Sequence, residues 1–184
     1  MTRYVAFLRA INVGGHTVTM ATLAACFESL GLANVSTFIA SGNVIFATAT
    51  ENAAALERSI ASRLRTELGY DVDTFLRTDV EVAAISSHRA FPAARVAAAG
   101  ALNVGLLATP LGAAGRKAML ALRTDVDDFH VHGREIYWLC QTKQSQSTFS
   151  NAVLERRLGV RSTWRSVNTM QRLAKKFPPA SGGT

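Results

Sequence analysis

The residues with the clearest chemical potential lie in the loop from Arg9 to His16, near the start of the chain. This loop carries a guanidinium, the amide of Asn12, an imidazole and the pair Gly14 and Gly15, which permits close approach of the backbone. A predicted helix follows, so backbone amides at its start would face an anion. The loop lacks the Gly-Lys-Ser/Thr ending of a Walker A loop and the dinucleotide fingerprint. It therefore predicts a site for an anionic or phosphorylated small molecule, the alternative being that the glycines only turn the chain and Asn12 ties down the loop.

A second polar group is the tight turn Ser41-Gly42-Asn43. Gly42-Asn43 is typical of a two-residue hairpin turn between strands. Ser41 lacks the glycine that precedes the serine of a nucleophile elbow, and no histidine or acid is tied to it by spacing. Ser41 and Asn43 are therefore candidates for ligand binding, and no catalytic residue is identified.

A third candidate pairs Lys143 with Arg165. Lys143 lies in a polar loop ahead of a predicted helix, for which Ser147 or Thr148 is the expected N-cap, and it could contact a phosphate. Arg165, at the end of a predicted strand, could lie nearby. Alternatively, Arg165 binds a carboxylate or caps carbonyls across two halves of the protein.

A fourth candidate is a metal site at Asp128, His130 and His132, which alternate along one predicted strand and so share a face. Imidazole and carboxylate groups at this spacing could bind zinc. Gly133, however, is the predicted turn, which places His132 at a strand end, and the polar face can simply meet water. His88 lies in a connector without a predicted partner. The sequence thus predicts no metal site and no cofactor.

Charge is distributed unevenly along the 184 residues. The net charge is +7, and residues 143–176 hold eight Lys or Arg against one acidic residue, so this segment holds the whole excess. Such asymmetry favours a polyanion or an anionic ligand as partner, the alternative being a solvated basic face on two helices. The alternative function is therefore weak, sequence-independent nucleic-acid binding, by the basic residues Arg161, Arg172, Lys175 and Lys176.

The amino-acid composition indicates the class of protein and its expected cellular location. Hydrophobic residues make up 48% of the chain, without an apolar run long enough for a membrane span. Two isolated cysteines and the lack of a signal peptide predict a cytoplasmic protein with reduced thiols. We also expect a monomer, because two halves that pair edge to edge would leave few free strand edges.

Whether the protein is an enzyme stays open. The competing enzyme hypothesis is a transferase or hydrolase of a phosphorylated small molecule.

Apolar spacing predicts strand, helix, strand, strand, helix, strand in residues 1–78, the split β-α-β pattern. Thr19 is the expected N-cap of the first helix, Gly69 is expected to end the second, and Thr78 and Glu81 have the spacing of a capping box. A helix and connector follow in 79–100, and the same order repeats in 101–177. Residues 178–184 are predicted to be a disordered tail. The fold class is thus α+β, with two ferredoxin-like halves, each an antiparallel sheet with helices on one face.

Several motifs also resemble a known family. They are R-A-I-N-V-G-G at 9–15, Met-Ala at 20–21, Leu-Gly at 30–31, T-F-I-A-S-G-N-V-I-F at 37–46 and T-W-R-S-V-N-T at 163–169. Together they resemble the bacterial family of uncharacterised proteins known as domain of unknown function sixteen-ninety-seven. In the closing motif Arg165 is kept, but Ser166 and Val167 replace the usual partners. The resemblance implies two ferredoxin-like halves and no established activity.

Overall fold

The structure is a computed structural model that describes residues 1–12, 15 and 17–179. Contacts within the chain divide it into two units. The first unit contains Met1–Ala83 together with the described residues from Leu173 onwards, and the second contains Ala84–Arg172. None of the described helices combines the length and the apolar character that crossing a bilayer requires.

The first unit is one four-stranded sheet with helices. Its elements in chain order are β1 (Thr2–Leu8), α1 (Met20–Glu28), β2 (Ala33–Thr37), β3 (Asn43–Thr48), α2 (Ala53–Leu68), β4 (Thr74–Thr78) and α3 (Asp79–Ser87), the last of which crosses the division between the units. The strand order is β2-β3-β1-β4, and every neighbouring pair is antiparallel. This is the arrangement that the split β-α-β pattern predicts.

Side-chain alternation along β1 builds the core of this unit. Tyr4, Ala6 and Leu8 belong to one apolar cluster with Phe27 of α1 and Leu64 of α2. Because successive strand residues point to opposite faces, this set defines the helix-covered face of the sheet.

Local signals fix the helix ends of the first unit. The Thr19 hydroxyl accepts a hydrogen bond from the Thr22 amide at 3.0 Å, which confirms the N-cap expected for α1. Gly69 ends α2 with φ 80°, a left-handed conformation that favours glycine. Thr78 and Glu81 form a reciprocal capping box at the start of α3.

Residues 176–178 pack on the strands and loops of the first unit. The Arg3 guanidinium donates to the Pro178 carbonyl at 2.8 Å, and the Phe177 ring meets the Phe38 ring edge-on at 6.5 Å. Lys176 lies over both of these rings. The first unit is thus built from two separate stretches of sequence.

The second unit repeats the plan of the first. Its elements are α4 (Ala93–Ala98), β5 (Ala101–Leu107), α5 (Ala113–Leu120), β6 (Asp127–His132), β7 (Glu135–Cys140), α6 (Asn151–Leu158), β8 (Ser162–Ser166) and α7 (Val167–Lys176), the last of which crosses into the first unit at Leu173. The strand order is β6-β7-β5-β8, again with antiparallel neighbours. Two antiparallel sheets with this element order confirm the predicted α+β fold of two ferredoxin-like halves.

A buried carboxylate organises the core of the second unit. Asp127, at the start of β6, accepts hydrogen bonds from Trp138 Nε1 at 2.7 Å and from the Ser147 hydroxyl at 2.8 Å. Ser147 therefore does not cap a helix. The predicted N-cap at Ser147 or Thr148 is wrong, because α6 begins at Asn151 and the Ser150 hydroxyl accepts from its first turn.

Candidate functional site

Two loops of the first unit lie against each other and form the first candidate site. We call them the paired loops: residues 9–19 after β1 and residues 38–42 between β2 and β3. Asn12 links them, because its Nδ2 donates to the Ala40 carbonyl at 3.3 Å. Its Oδ1 accepts from the Val18 amide at 2.7 Å. Asn12 thus ties the two loops together, which is the role that the alternative interpretation of this loop gives it.

Gly42 allows the close approach of the two loops. Its carbonyl accepts from the Leu8 amide at 2.8 Å, and its φ is 71°. A Cβ added here would lie 3.1 Å from Leu8 Cβ and 3.2 Å from Ile11 Cβ, closer than carbon atoms pack without strain. Glycine is therefore required at this position for both conformational and steric reasons.

The paired loops also hold strained backbone. Ala10, Asn12 and Ile39 have φ of 60°, 57° and 50°. Asparagine tolerates this left-handed region, but alanine and especially a β-branched isoleucine adopt it rarely. The Ile39 side chain is 39% exposed, so deep burial does not account for its conformation.

The connection between β2 and β3 differs from the prediction. Five residues, 38–42, separate the strands, and Asn43 is the first residue of β3. The predicted two-residue hairpin at Gly42-Asn43 is wrong, because the buried Asn43 amide holds a wider loop. Asn43 Nδ2 donates to the Phe38 carbonyl at 3.0 Å and to the Ser41 hydroxyl at 2.8 Å. Asn43 therefore shapes the loop, while Ser41 is partly buried on it.

Arg9 and the start of α1 supply the positive electrostatics of the paired loops. The Arg9 Nη1 lies 3.6 Å from the Asp73 Oδ2, and both side chains are a little over a quarter exposed. The first turn of α1 carries no acidic side chain, so nothing in that turn offsets its partial positive charge. Gly15 has φ 87°. The other two candidates in this loop, Gly14 and His16, lie outside the described residues.

The remaining ligand-binding candidates, Lys143 and Arg165, belong to the second unit. Lys143 is exposed and precedes a single 3₁₀ turn. The Arg165 guanidinium lies along its own strand and donates to the Thr163 hydroxyl at 2.9 Å and to the Trp164 carbonyl at 2.8 Å. Burial lowers the pKa of Arg165 to about 10. Arg165 is thus partly buried with its guanidinium hydrogen-bonded to its own strand, and Arg77 of β4 is fully buried.

The four basic candidates for nucleic-acid binding fall in both units. Arg161 and Arg172 belong to the second unit, whereas Lys175 and Lys176 belong to the first. Arg161, Arg172 and Lys175 are exposed. The Lys176 ammonium lies 5.6 Å from the centre of the Phe38 ring, a cation–π distance. Nucleic-acid binding by this set stays a prediction.

Three histidines of the second unit form a cluster. His130 and His132 share one face of β6, and His88, which directly follows α3, packs on them. The two Nε2 atoms of His88 and His130 are 3.2 Å apart. One ligand nitrogen from each of the three rings lies within 4.8 Å of the others. We call this set the histidine cluster.

Charge and burial keep two of these rings neutral near pH 7. Burial lowers the pKa of His88, and the neighbouring His132 and His130 lower it further, against the opposing effect of Glu135. Burial likewise lowers the pKa of His130, with further lowering by His132, Arg116 and Arg123. A neutral imidazole has the lone pair that a metal ion requires.

Asp128 does not take the place in this cluster that the strand pattern suggested. Its carboxylate accepts from Arg95 at 2.9 Å and forms an ion pair with Arg123 at 2.7 Å. The strand pattern identified His130 and His132 as metal-ligand candidates but gave no partner for His88. His88 lies 42 residues from His130 along the chain.

Comparisons with known proteins agree with the fold. A family model described as a protein of unknown function (DUF1697) matches residues 1–137. A conserved bacterial protein from Streptococcus pneumoniae, of solved structure, is similar with a TM-score of 0.76 and 22% identity, over 96% of this chain and 98% of that chain. At this identity the similarity concerns the fold. No curated protein matches the chain.

Proposed function

The chain belongs to the DUF1697 family of proteins of unknown function, and we propose that it binds a small anionic or phosphorylated molecule at the paired loops. The observation that carries the proposal is the concentration of left-handed non-glycine residues there. Ala10, Asn12 and Ile39 all adopt this conformation within two loops that touch. Left-handed backbone costs about 1–2 kcal/mol per residue and persists at sites where function requires a fixed backbone.

The chemistry of the loops supports an anion as the ligand. Arg9 brings a permanent positive charge to the first loop, where its guanidinium lies 3.6 Å from the Asp73 carboxylate. The start of α1 adds a partial positive charge without an acidic residue in its first turn. The Ser41 hydroxyl is a further polar group on the second loop. A phosphate would combine these three features, as anions do at helix starts.

A thermal-shift screen tests the proposal. Inorganic phosphate, nucleotides and sugar phosphates are added to the protein, and at least one should raise its melting temperature, since ligand binding stabilises the folded state. The Arg9→Gln variant should then bind about 10- to 100-fold more weakly, the effect of losing one hydrogen bond to a charged group.

Arg65→Gln is the matched control for that variant. Arg65 is likewise an arginine paired with an aspartate, Asp71, but both side chains are 69% exposed and lie on α2 and just after it. The control should bind like the unchanged protein. If none of the anions raises the melting temperature, or if Arg65→Gln weakens binding as much as Arg9→Gln, the proposal is wrong.

A further inference from the structure

We propose that His88, His130 and His132 bind a divalent transition metal ion, best matched by zinc, in a three-imidazole site of the second unit. The site is independent of the paired loops and of any anion bound there. Its argument rests on the spacing of the nitrogen atoms, on how the fold delivers the three rings, and on the kind of ligand that they offer.

The spacing of the rings fits a tetrahedral ion. Zinc–nitrogen bonds of about 2.0–2.1 Å at a tetrahedral angle separate two ligand nitrogens by about 3.3 Å. His88 Nε2 and His130 Nε2 are 3.2 Å apart, so one edge of the tetrahedron is already present. All three ligand atoms lie within 4.8 Å of one another. Closing the remaining edges needs a movement of about 1.5 Å at most, which His132, exposed at the end of β6, can make by rotating its side chain.

The fold delivers the three rings from two elements. His130 and His132 lie directly opposite Tyr137 and Glu135 in the pairing of β6 with β7. The Tyr137 hydroxyl donates to the Ile85 carbonyl of α3 at 3.2 Å and so ties the end of that helix to the sheet. The His88 ring then packs on the Tyr137 ring at 4.9 Å. A buried tyrosine therefore sets the position of the third ligand.

The ligand set selects the class of metal. Three imidazole nitrogens suit zinc, copper and nickel, whereas magnesium and calcium prefer oxygen. Charged groups of both signs act on the rings: the carboxylates of Asp128 and Glu135 oppose the positive charges of Arg116 and Arg123. These carboxylates would offset part of the repulsion between the arginines and a bound dication.

Three protein ligands leave a fourth coordination position for water or a small molecule, as in catalytic zinc sites. His88 also lines a groove of about 1010 Å³ in the same unit, together with Phe91, Val167 and Gln171. The groove offers space for a fourth ligand beside the histidine cluster.

Calorimetric titration of Zn²⁺ into the full chain, after treatment with a chelator, tests the site. The expected result is one ion bound per chain. His88→Ala and His132→Ala should each weaken binding by about 100-fold or more, since loss of even an indirect metal partner costs 10- to 100-fold. His132 is exposed, so its variant keeps the fold even if His88→Ala does not. Circular dichroism checks the folding of each variant.

The control is Asp71→Asn, which removes an exposed carboxylate of the first unit and should leave Zn²⁺ binding unchanged. Co²⁺ supplies a second readout: nitrogen ligation in a tetrahedral site gives intense visible absorption without the thiolate charge-transfer band that Cys26 or Cys140 would produce. The proposal is overturned if the unchanged protein binds no Zn²⁺, if binding survives in folded His132→Ala, or if Co²⁺ shows the thiolate band.

Discussion

Replacing Gly42 by alanine should destabilise the first unit far more than the same change at Gly69. Both glycines are left-handed, with φ of 71° and 80°, so alanine costs about 1–2 kcal/mol at either position. At Gly69 a Cβ meets nothing within 4 Å, and that cost is the whole effect. At Gly42 the Cβ would also press on Leu8 and Ile11, which are 1% and 5% exposed and cannot move into solvent.

Overpacking of this kind adds about 1–3 kcal/mol, so Gly42→Ala should lose about 2–5 kcal/mol of unfolding free energy in total. Urea titration followed by far-ultraviolet circular dichroism measures both variants. With a slope of about 1–3 kcal/mol per molar urea, an extra 2 kcal/mol lowers the midpoint by about 1 M. Both tryptophans, Trp138 and Trp164, lie in the second unit, so their fluorescence reports separately on that unit. Equal midpoints for the two variants would refute the steric reasoning.

Two further outcomes are expected. Burial raises the pKa of Tyr4, with smaller contributions from Glu81 and Glu51. The phenol of the folded protein therefore stays protonated at a pH where that of the unfolded chain ionises. The free energy of unfolding contributed by Tyr4 is thus lost as the pH rises above about 10. Tyr4→Phe should therefore lose less urea resistance than the unchanged protein between about pH 8 and about pH 10.5; equal losses would contradict this. If the basic residues engage four or five phosphates of duplex DNA, fluorescence anisotropy should give a slope of log K against log salt of about −4. DNA binding should vanish when Arg172, Lys175 and Lys176 are changed to glutamate. If binding survives, these three residues do not contact the DNA.

Local signals in the sequence predicted three helix ends of the first unit, although they did not predict the start of α6. Thr19, Gly69 and the Thr78–Glu81 pair act through backbone groups within a few residues, so their types alone identify their roles. The order of strands and helices followed in the same way from apolar spacing, and with it the fold of both units.

Features that depend on distant contacts were not predictable in the same way. The loop between β2 and β3 is wide because Asn43 is buried and reaches the Phe38 carbonyl, a fact that the turn-like Gly42-Asn43 pair conceals. His88 joins His130 across 42 residues because α3 and β7 meet through Tyr137. Both features depend on which side chains the folded sheet buries or brings into contact. The spacing of residues in the sequence does not predict this.

The packing of the chain's end on the first unit has a consequence for biosynthesis. The first unit ends its main stretch at Ala83 and resumes at Leu173, about 90 residues later. At about 5–20 residues per second, the ribosome needs about 5–18 seconds to make the intervening segment. During that time Phe38 and Arg3 lack the contacts that Phe177 and Pro178 will provide. The second unit is continuous in sequence, so it can finish folding on the nascent chain before the first unit is complete. The two units would then complete folding in the opposite order to that in which their synthesis begins.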